Sequence, residues 1–495
     1  MSSDSFGSVG RVVRGGFWLY GVNIINSVSG FLYWLVISIL AGSETLGFTS
    51  ATVGLATLII GLLSLGIQIG LRRFLGRCIG LGDRECLAKY LWTSVLFTTT
   101  IYLVAGFVLH VLGFLGIDLW SYTPEMLRIA SIIVLLGVFQ VLRAFLVSIL
   151  RTDVLFLSTI VGNVLKFVIG VGLVYLGFGW VGAAIGYLFV YLATLIISLA
   201  YALRFIGFRF VLARNVLVDV LRAGVVSWLP NIIVLAGQWL GVLFVFGSSG
   251  AVETGYYYIA YAISGVVLAI GTSLLGLLLP VLSGMVDGRK RAASRVLRIS
   301  LLFMAPIAVF IATYPWLLLG LLGREYVAAS NILTILLLSS VPLAITACIN
   351  SLIYAYGYYR MVLLIGLSQN IPRIILYLSL VPLYGGLGAA ISFTLGTYSG
   401  LLTSLFIAYK IRFYIDMRSI GITIAIPLAL GIASYILGLH WIIGLIVIAS
   451  SYIFYARLGI LSRRDLRDIL SAFMSEKRID KLYDRLRFLI DTIFP

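Results

Sequence analysis

The sequence predicts an all-α polytopic membrane protein with fourteen transmembrane helices, and three observations lead to it. The chain has 495 residues, 61% of them hydrophobic and 11% charged, with a mean hydropathy of +1.13. No water-soluble core needs so much apolar sequence. Its apolar residues gather into stretches of helix length separated by short polar turns. Short motifs also recur at an offset near 207 residues, which pairs the first six spans with the next six.

The expected spans are 15–41, 46–71, 87–113, 126–150, 154–178, 181–204, 216–246, 254–281, 296–321, 330–356, 361–382, 386–409, 419–438 and 440–458. Spans 5 and 6, and spans 13 and 14, are separated only by short Gly- or His-containing turns. Loops after even-numbered spans are basic: Arg72, Arg73, Arg77, Arg84 and Lys89 after span 2, Arg204, Arg209 and Arg214 after span 6, Lys410, Arg412 and Arg418 after span 12. Loops after odd-numbered spans carry Glu44, Asp118, Glu125, Glu253 and Glu325, with Arg324 as an exception. The positive-inside rule then places both termini in the cytoplasm of a cell-membrane protein, and an even number of spans agrees. No apolar h-region or cleavage site precedes span 1, so span 1 is expected to act as its own insertion signal.

The formal charge of +17 does not point to nucleic acid, because the basic residues lie between apolar segments and in the tail. Cys78, Cys86 and Cys348 are odd in number, and two lie in a basic loop, so reduced thiols are expected.

Four matches share the long offset. Arg14-x-Gly16 with Asn23-Ile24-Ile25 recurs as Arg222-x-Gly224 with Asn231-Ile232-Ile233, and Glu44-Thr45 recurs as Glu253-Thr254. Gly179-x-x-Gly182-Ala183-Ala184-Ile185 recurs as Gly385-x-x-Gly388-Ala389-Ala390-Ile391, and Asn163-x-x-Lys166 as Asn370-x-x-Arg373. Six spans is an even number, so both copies insert the same way up, with a site expected between them. The expected domains are an N-terminal lobe at 1–210, a C-terminal lobe at 211–415, spans 13 and 14 at 416–459, and a tail at 460–495. The tail has apolar residues at helical spacing among many Arg and Lys. It reads either as amphipathic helices on the inner leaflet or as helices packed on the protein's own cytoplasmic face.

Lys166 lies about 12 residues inside span 5, roughly 18 Å at 1.5 Å per residue, and Arg373 has the same depth in span 11. A cation at that depth is costly and marks a site. Asn163 and Asn370 stand three residues earlier on the same helical faces. Gln140 and Arg143 form a further i, i+3 pair on span 4. No Asp or Glu is expected near mid-membrane, so an anionic ligand is the expected counter-charge, and Arg offers it bidentate donors. Arg143 either snorkels inward or faces the cavity. Arg222 reads as a local partner of Asp219 or a snorkelling residue. Asn23, Ser27, Asn231 and Gln238 either line the cavity or bond helix to helix. Tyr256, Tyr257, Tyr258 and Tyr261 read first as an aromatic belt, with sugar stacking as the alternative.

The two six-span lobes, the two extra C-terminal spans and the Gly-x-x-Gly-Ala-Ala openings of spans 6 and 12 resemble the polysaccharide flippase branch of the MOP exporter superfamily. That superfamily also holds MATE drug antiporters and MurJ-type flippases. The resemblance covers spans 1–14 and implies alternating access by a MATE/MOP-like fold. It implies an isoprenoid phosphate- or pyrophosphate-linked oligosaccharide moved from the inner to the outer leaflet. Substrate-binding residues are then expected among Lys166, Arg373, Arg143, Asn163, Asn370, Gln140, Asn23 and Asn231. Membrane lipids are expected partners, glycan-assembly proteins are candidate ones, and the chain is expected to be a monomer without a cofactor. A MATE-type cation antiporter needs a buried carboxylate, and none is visible at depth. A membrane-embedded glycosyltransferase or polymerase would be expected to show an Asp-x-Asp motif in an outer loop, and the chain has none. It also has no Walker A motif and no nucleophile elbow.

Overall fold

The computed structural model describes residues 4–117, 120–208, 213–276 and 287–463, so the tail expected at 460–495 lies almost wholly outside the described residues. Within a bilayer no water satisfies backbone N–H and C=O groups, and helices satisfy their own. The described chain is accordingly helical. It opens with α1 (Asp4–Leu63), α2 (Ile67–Gly80), α3 (Arg84–Phe114), α4 (Pro124–Leu136) and α5 (Phe139–Ser148). Next come α6 (Thr152–Leu165), which continues in wider π-helical turns over Lys166–Val171 and Val174–Phe178, α7 (Gly179–Ile206) and α8 (Arg214–Gly276). The remainder comprises α9 (Arg289–Thr313), α10 (Pro315–Leu322), α11 (Ser330–Leu337), α12 (Ser340–Ala355), α13 (Tyr359–Lys410), α14 (Met417–Ile436), α15 (Trp441–Ala449) and α16 (Ser451–Arg457).

Nine helical stretches among the described residues are long and apolar enough to cross a membrane. Four of them run to 43, 55, 40 and 51 residues, enough for two passes each, and the shorter apolar Trp441–Arg457 follows. That inventory is compatible with fourteen passes. Glycines break three of the long helices. Gly42 in α1 (φ 75°, ψ −179°) and Gly250 in α8 (φ 82°, ψ −175°) lie 208 residues apart in one conformation. Gly179 (φ 52°, ψ −134°), at the start of α7, and Gly385 inside α13 (φ 54°, ψ −130°) lie 206 apart in another. Positive φ without a Cβ penalty is what glycine supplies. The long-offset repeat is thus present in the backbone as well as in the motifs.

Several expectations are corrected. Span 2 does not run to residue 71: α1 ends at Leu63, the chain turns at Leu65 (φ 47°) and Gly66 (φ 70°), and α2 starts afresh. The turn is forced by proximity, since a Cβ on Gly66 would overlap the Gly224 carbonyl, and one on Gly224 would meet Gly66 in return. Span 4 is divided at Gly137, and span 10 at residues 338–339. Cys78 and Cys86, read as reduced thiols, are joined as a disulfide. The Gly80-Leu81-Gly82 turn between α2 and α3 brings their Cα atoms to 5.6 Å, within bridging reach. Cys348 is free and buried. Tyr257 and Tyr258 are buried rather than part of an aromatic belt; Tyr258 packs edge-on against Trp34 at 4.8 Å. Asp219 accepts from the Tyr90 hydroxyl at 3.4 Å, while Arg222 is exposed.

The chain forms two compact units, residues 1–259 with 374–389 and residues 260–373 with 390–495. Compactness follows proximity and a repeat follows topology, so these units are a different property from the lobes read in the sequence. In unit 1, small residues allow the close backbone approaches that hold helices together where lipid removes the hydrophobic drive. Gly170 and Gly186 face each other beneath the Tyr33 hydroxyl, which donates to the Ala183 carbonyl at 2.7 Å. Gly47 abuts Ala251 and Gly255 abuts Ser43, an exchange of equivalent positions across the repeat. In unit 2, α9 packs on α14 and α12. Leu302 on α9 and Tyr455 on α16 share a cluster with Ile422 and Ile426 of α14, and the Tyr455 hydroxyl donates to the Thr423 carbonyl at 2.6 Å.

Candidate functional site

Lys166 sits where α6 widens into its π-helical turn, roughly 21 Å along the helix from Thr152 at 1.5 Å per residue. Its side chain is 2% exposed. The ammonium donates to Asn163 Oδ1 at 3.0 Å and to the Ser29 carbonyl at 3.5 Å. It also lies over the rings of Tyr33 (5.0 Å), Tyr187 (5.2 Å) and Phe167 (5.8 Å). Asn163 accepts from Ser29 Oγ at 2.7 Å and donates to Asn26 Oδ1 at 3.1 Å and to the Thr159 carbonyl at 2.8 Å. This network fixes the ammonium without neutralising it. Among the described residues the ion pairs are Lys89–Glu85 and Arg151–Asp153, neither of which involves Lys166.

The same pairing recurs in unit 2. Arg373 is 2% exposed, and its Nη1 donates to Asn370 Oδ1 at 3.0 Å. Its Nη2 donates to Thr397 Oγ1 at 2.9 Å, and the guanidinium lies 4.0 Å from the centre of the Phe393 ring. Asn370 donates to the Gly366 carbonyl at 2.9 Å. Phe393 and Tyr187 are 206 residues apart, so the cation–π partner repeats with the cation.

Within unit 1 two cavities are lined by expected site residues. One, of about 230 Å³, is lined by Lys166, Asn163, Arg143, Asn26, Thr159 and Tyr187, among others. The second, of about 390 Å³, is lined by Arg72, Gln68, Gln140, Arg143 and Trp228, among others. Arg143 and Phe139 belong to both walls. Gln140 pairs with Gln68 across the second cavity. Arg143 is thus a cavity residue, and its buried Nε has no hydrogen-bond partner among the described residues. An unpaired guanidinium nitrogen on a cavity wall is costly without a ligand. Asn23 is exposed and lines neither cavity, and the side chain of Asn231 lies outside the described residues. Arg373 and Asn370 belong to unit 2 and line neither cavity.

The sequence reading missed Asn26, Ser29, Tyr33, Tyr187 and Arg72. Only Tyr187 left a signal: it stands eight residues after Gly179, as Phe393 does after Gly385. Arg72 was assigned to a loop and reaches a cavity because the break at Leu65–Gly66 reorients α2.

A family model described as polysaccharide biosynthesis protein matches residues 51–331, more than half of the chain. The chain belongs to that family. The comparison with curated proteins finds no match. Among solved structures it is similar to the lipid II flippase MurJ in an inward closed conformation, with a TM-score of 0.72 and 15% identity over 88% of this chain and 98% of that one. It is also similar to a multidrug resistance MATE family transporter of the MOP superfamily, inward-facing, with a TM-score of 0.58 and 18% identity over 78% and 94% of the two chains. A MATE in the bent conformation matches with a TM-score of 0.53 and 18% identity over 81% and 95%. The fold is therefore the multi-pass membrane fold that these MurJ and MATE structures share.

Proposed function

We propose that this chain is a flippase that moves an anionic lipid-linked oligosaccharide from the inner to the outer leaflet of the cell membrane by alternating access. The anion is the phosphate or pyrophosphate that joins glycan to isoprenoid. The observation that carries the proposal is the unit 1 cavity wall where Lys166, Asn163 and Arg143 meet, where among the described residues no carboxylate pairs with the ammonium and one guanidinium nitrogen has no partner. A site built from cations and amide groups suits a phosphate group, which accepts charge-assisted hydrogen bonds from both. Membership of the polysaccharide biosynthesis family supports a glycan as cargo, and the MurJ-like fold supports a lipid carrier. In this reading the lobes are residues 1–210 and 211–415, both termini are cytoplasmic, and Arg373 with Asn370 is a second candidate substrate-binding pair.

The driving force follows from charge. Moving one elementary charge through 100 mV is worth about 2.3 kcal/mol, so a head group with two charges gains about 4–5 kcal/mol, a bias of more than about a thousandfold. Proteoliposomes with an imposed potassium diffusion potential test this directly. An isoprenoid pyrophosphate-linked sugar should flip faster when the potential pulls it outward, and a neutral isoprenoid-linked sugar should not respond. Flipping that ignores the potential and follows an imposed pH or sodium gradient would replace uniport with a coupled antiporter.

A further inference from the structure

Unit 2 contains a cavity of about 490 Å³ between the first turns of α9 and the segment that leads into α14. Small-molecule sites span about 300–1,000 Å³, so it is large enough for a head group. Among the described residues, Lys290, Arg291, Arg295, Arg298 and Arg412 contribute five cations to its wall, against one carboxylate, Asp416. Three of the arginines share a helix face, because 291, 295 and 298 fall at i, i+4 and i+7. The carboxylate is committed to the backbone: Asp416 Oδ1 accepts from the Ser419 amide at 3.1 Å and caps α14. Lys290 bridges the two walls by donating to the Ile411 carbonyl at 2.7 Å. Arg412 has a left-handed backbone (φ 55°), held by its amide donating to the Tyr409 carbonyl at 2.9 Å. The N-terminus of α14 adds its partial positive charge on the same side.

The place of this cavity in the fold narrows what it can take. Both α9 and α14 continue from it as apolar membrane-crossing helices. Tyr409 and Tyr414, both exposed, stand beside it with ring centroids 6.3 Å apart, as aromatic side chains do at a membrane–water boundary. The geometry points to a binding site for a phosphate-bearing anion at the bilayer surface, separate from the Lys166 cavity, with an anionic phospholipid head group as its occupant. Arginine forks bind phosphate oxygens in pairs, and lipid tails would run along the apolar lengths of α9 and α14.

Native mass spectrometry of the purified full chain from mixed micelles tests the site without any transport measurement, so its failure leaves the flippase reading untouched. Phosphatidylglycerol should be retained in preference to phosphatidylcholine. The double variant Arg291→Gln, Arg412→Gln should lower phosphatidylglycerol retention about tenfold, the scale of a lost charge-assisted contact. Both residues are exposed, so the lipid-free melting temperature should not change; if the double variant does not fold, Arg295→Gln alone serves. Displacement of phosphatidylglycerol by millimolar glycerol 3-phosphate would support the phosphate chemistry and move its source from lipid to a soluble ester. Equal retention of the two lipids, or unchanged retention in the variants, would overturn the proposal.

Discussion

Replacing Lys166 with methionine separates a structural lysine from a substrate-binding one. The substitution keeps an unbranched side chain of similar volume and removes only the charge and its donors. Little else is stranded. Asn163 Oδ1 keeps the Ser29 hydroxyl at 2.7 Å, Asn163 Nδ2 keeps Asn26 and Thr159, and the Tyr33 hydroxyl keeps the Ala183 carbonyl. Removing a buried cation that has no carboxylate partner among the described residues also removes its desolvation cost, so stability should change by no more than about 1 kcal/mol in either direction. Transport should respond differently. A charge-assisted hydrogen bond to a substrate phosphate contributes about 1.5–3 kcal/mol, which at 1.4 kcal/mol per decade is roughly a ten- to hundredfold loss of flipping. Lys166→Arg should retain most of the rate, because the charge survives. The assays are unfolding in detergent and flipping of a fluorescent lipid-linked sugar in proteoliposomes, on the same preparations. Normal flipping by Lys166→Met would refute the reasoning. So would a stability loss above about 3 kcal/mol, because the residue would then be a structural strut.

Arg143→Leu, which removes an unpartnered buried guanidinium nitrogen, should leave the melting temperature unchanged or raised while flipping falls about tenfold; a large stability loss would show that the nitrogen has a partner. Arg373→Met should be the more damaging change to stability, by about 1–3 kcal/mol, because it strands the buried Asn370 Oδ1, which accepts from Arg373 Nη1, whereas Asn163 Oδ1 keeps the Ser29 hydroxyl when Lys166 is replaced; equal stability to wild type in thermal unfolding would contradict that. Gly47→Val puts a side chain into the Ala251 carbonyl, so a reporter cysteine at the buried Ser43 should react faster with a thiol reagent than it does beside Gly47, and an unchanged rate would deny the close approach. Cys78 and Cys86 should resist alkylation in unfolded, unreduced protein and both react after a reductant; immediate alkylation would deny the bond.

Sequence by itself determined the class, the repeat and the pairing of each of the two cations with its asparagine. These are one-dimensional properties: apolar length sets the number of possible crossings, and a shared offset sets the pairing of spans. Asn163-x-x-Lys166 and Asn370-x-x-Arg373 were visible because i and i+3 share a helix face whatever the helix packs against, and both pairs do form hydrogen bonds. Tertiary structure alone decided which long-range neighbours those residues meet. Arg72 looked like a loop charge and lines a cavity beside Arg143, because two close-packed glycines, Gly66 and Gly224, turn the chain just before it. Tyr257 and Tyr258 looked like an interface belt and are core, because Trp34 and Trp239, far away in sequence, close over Tyr258. Cys78 and Cys86 looked like separate thiols and meet across a turn. Hydropathy and spacing describe what a residue needs, a dry place or a wet one, but contacts between distant segments depend on the shapes of both partners, which no single stretch of sequence contains.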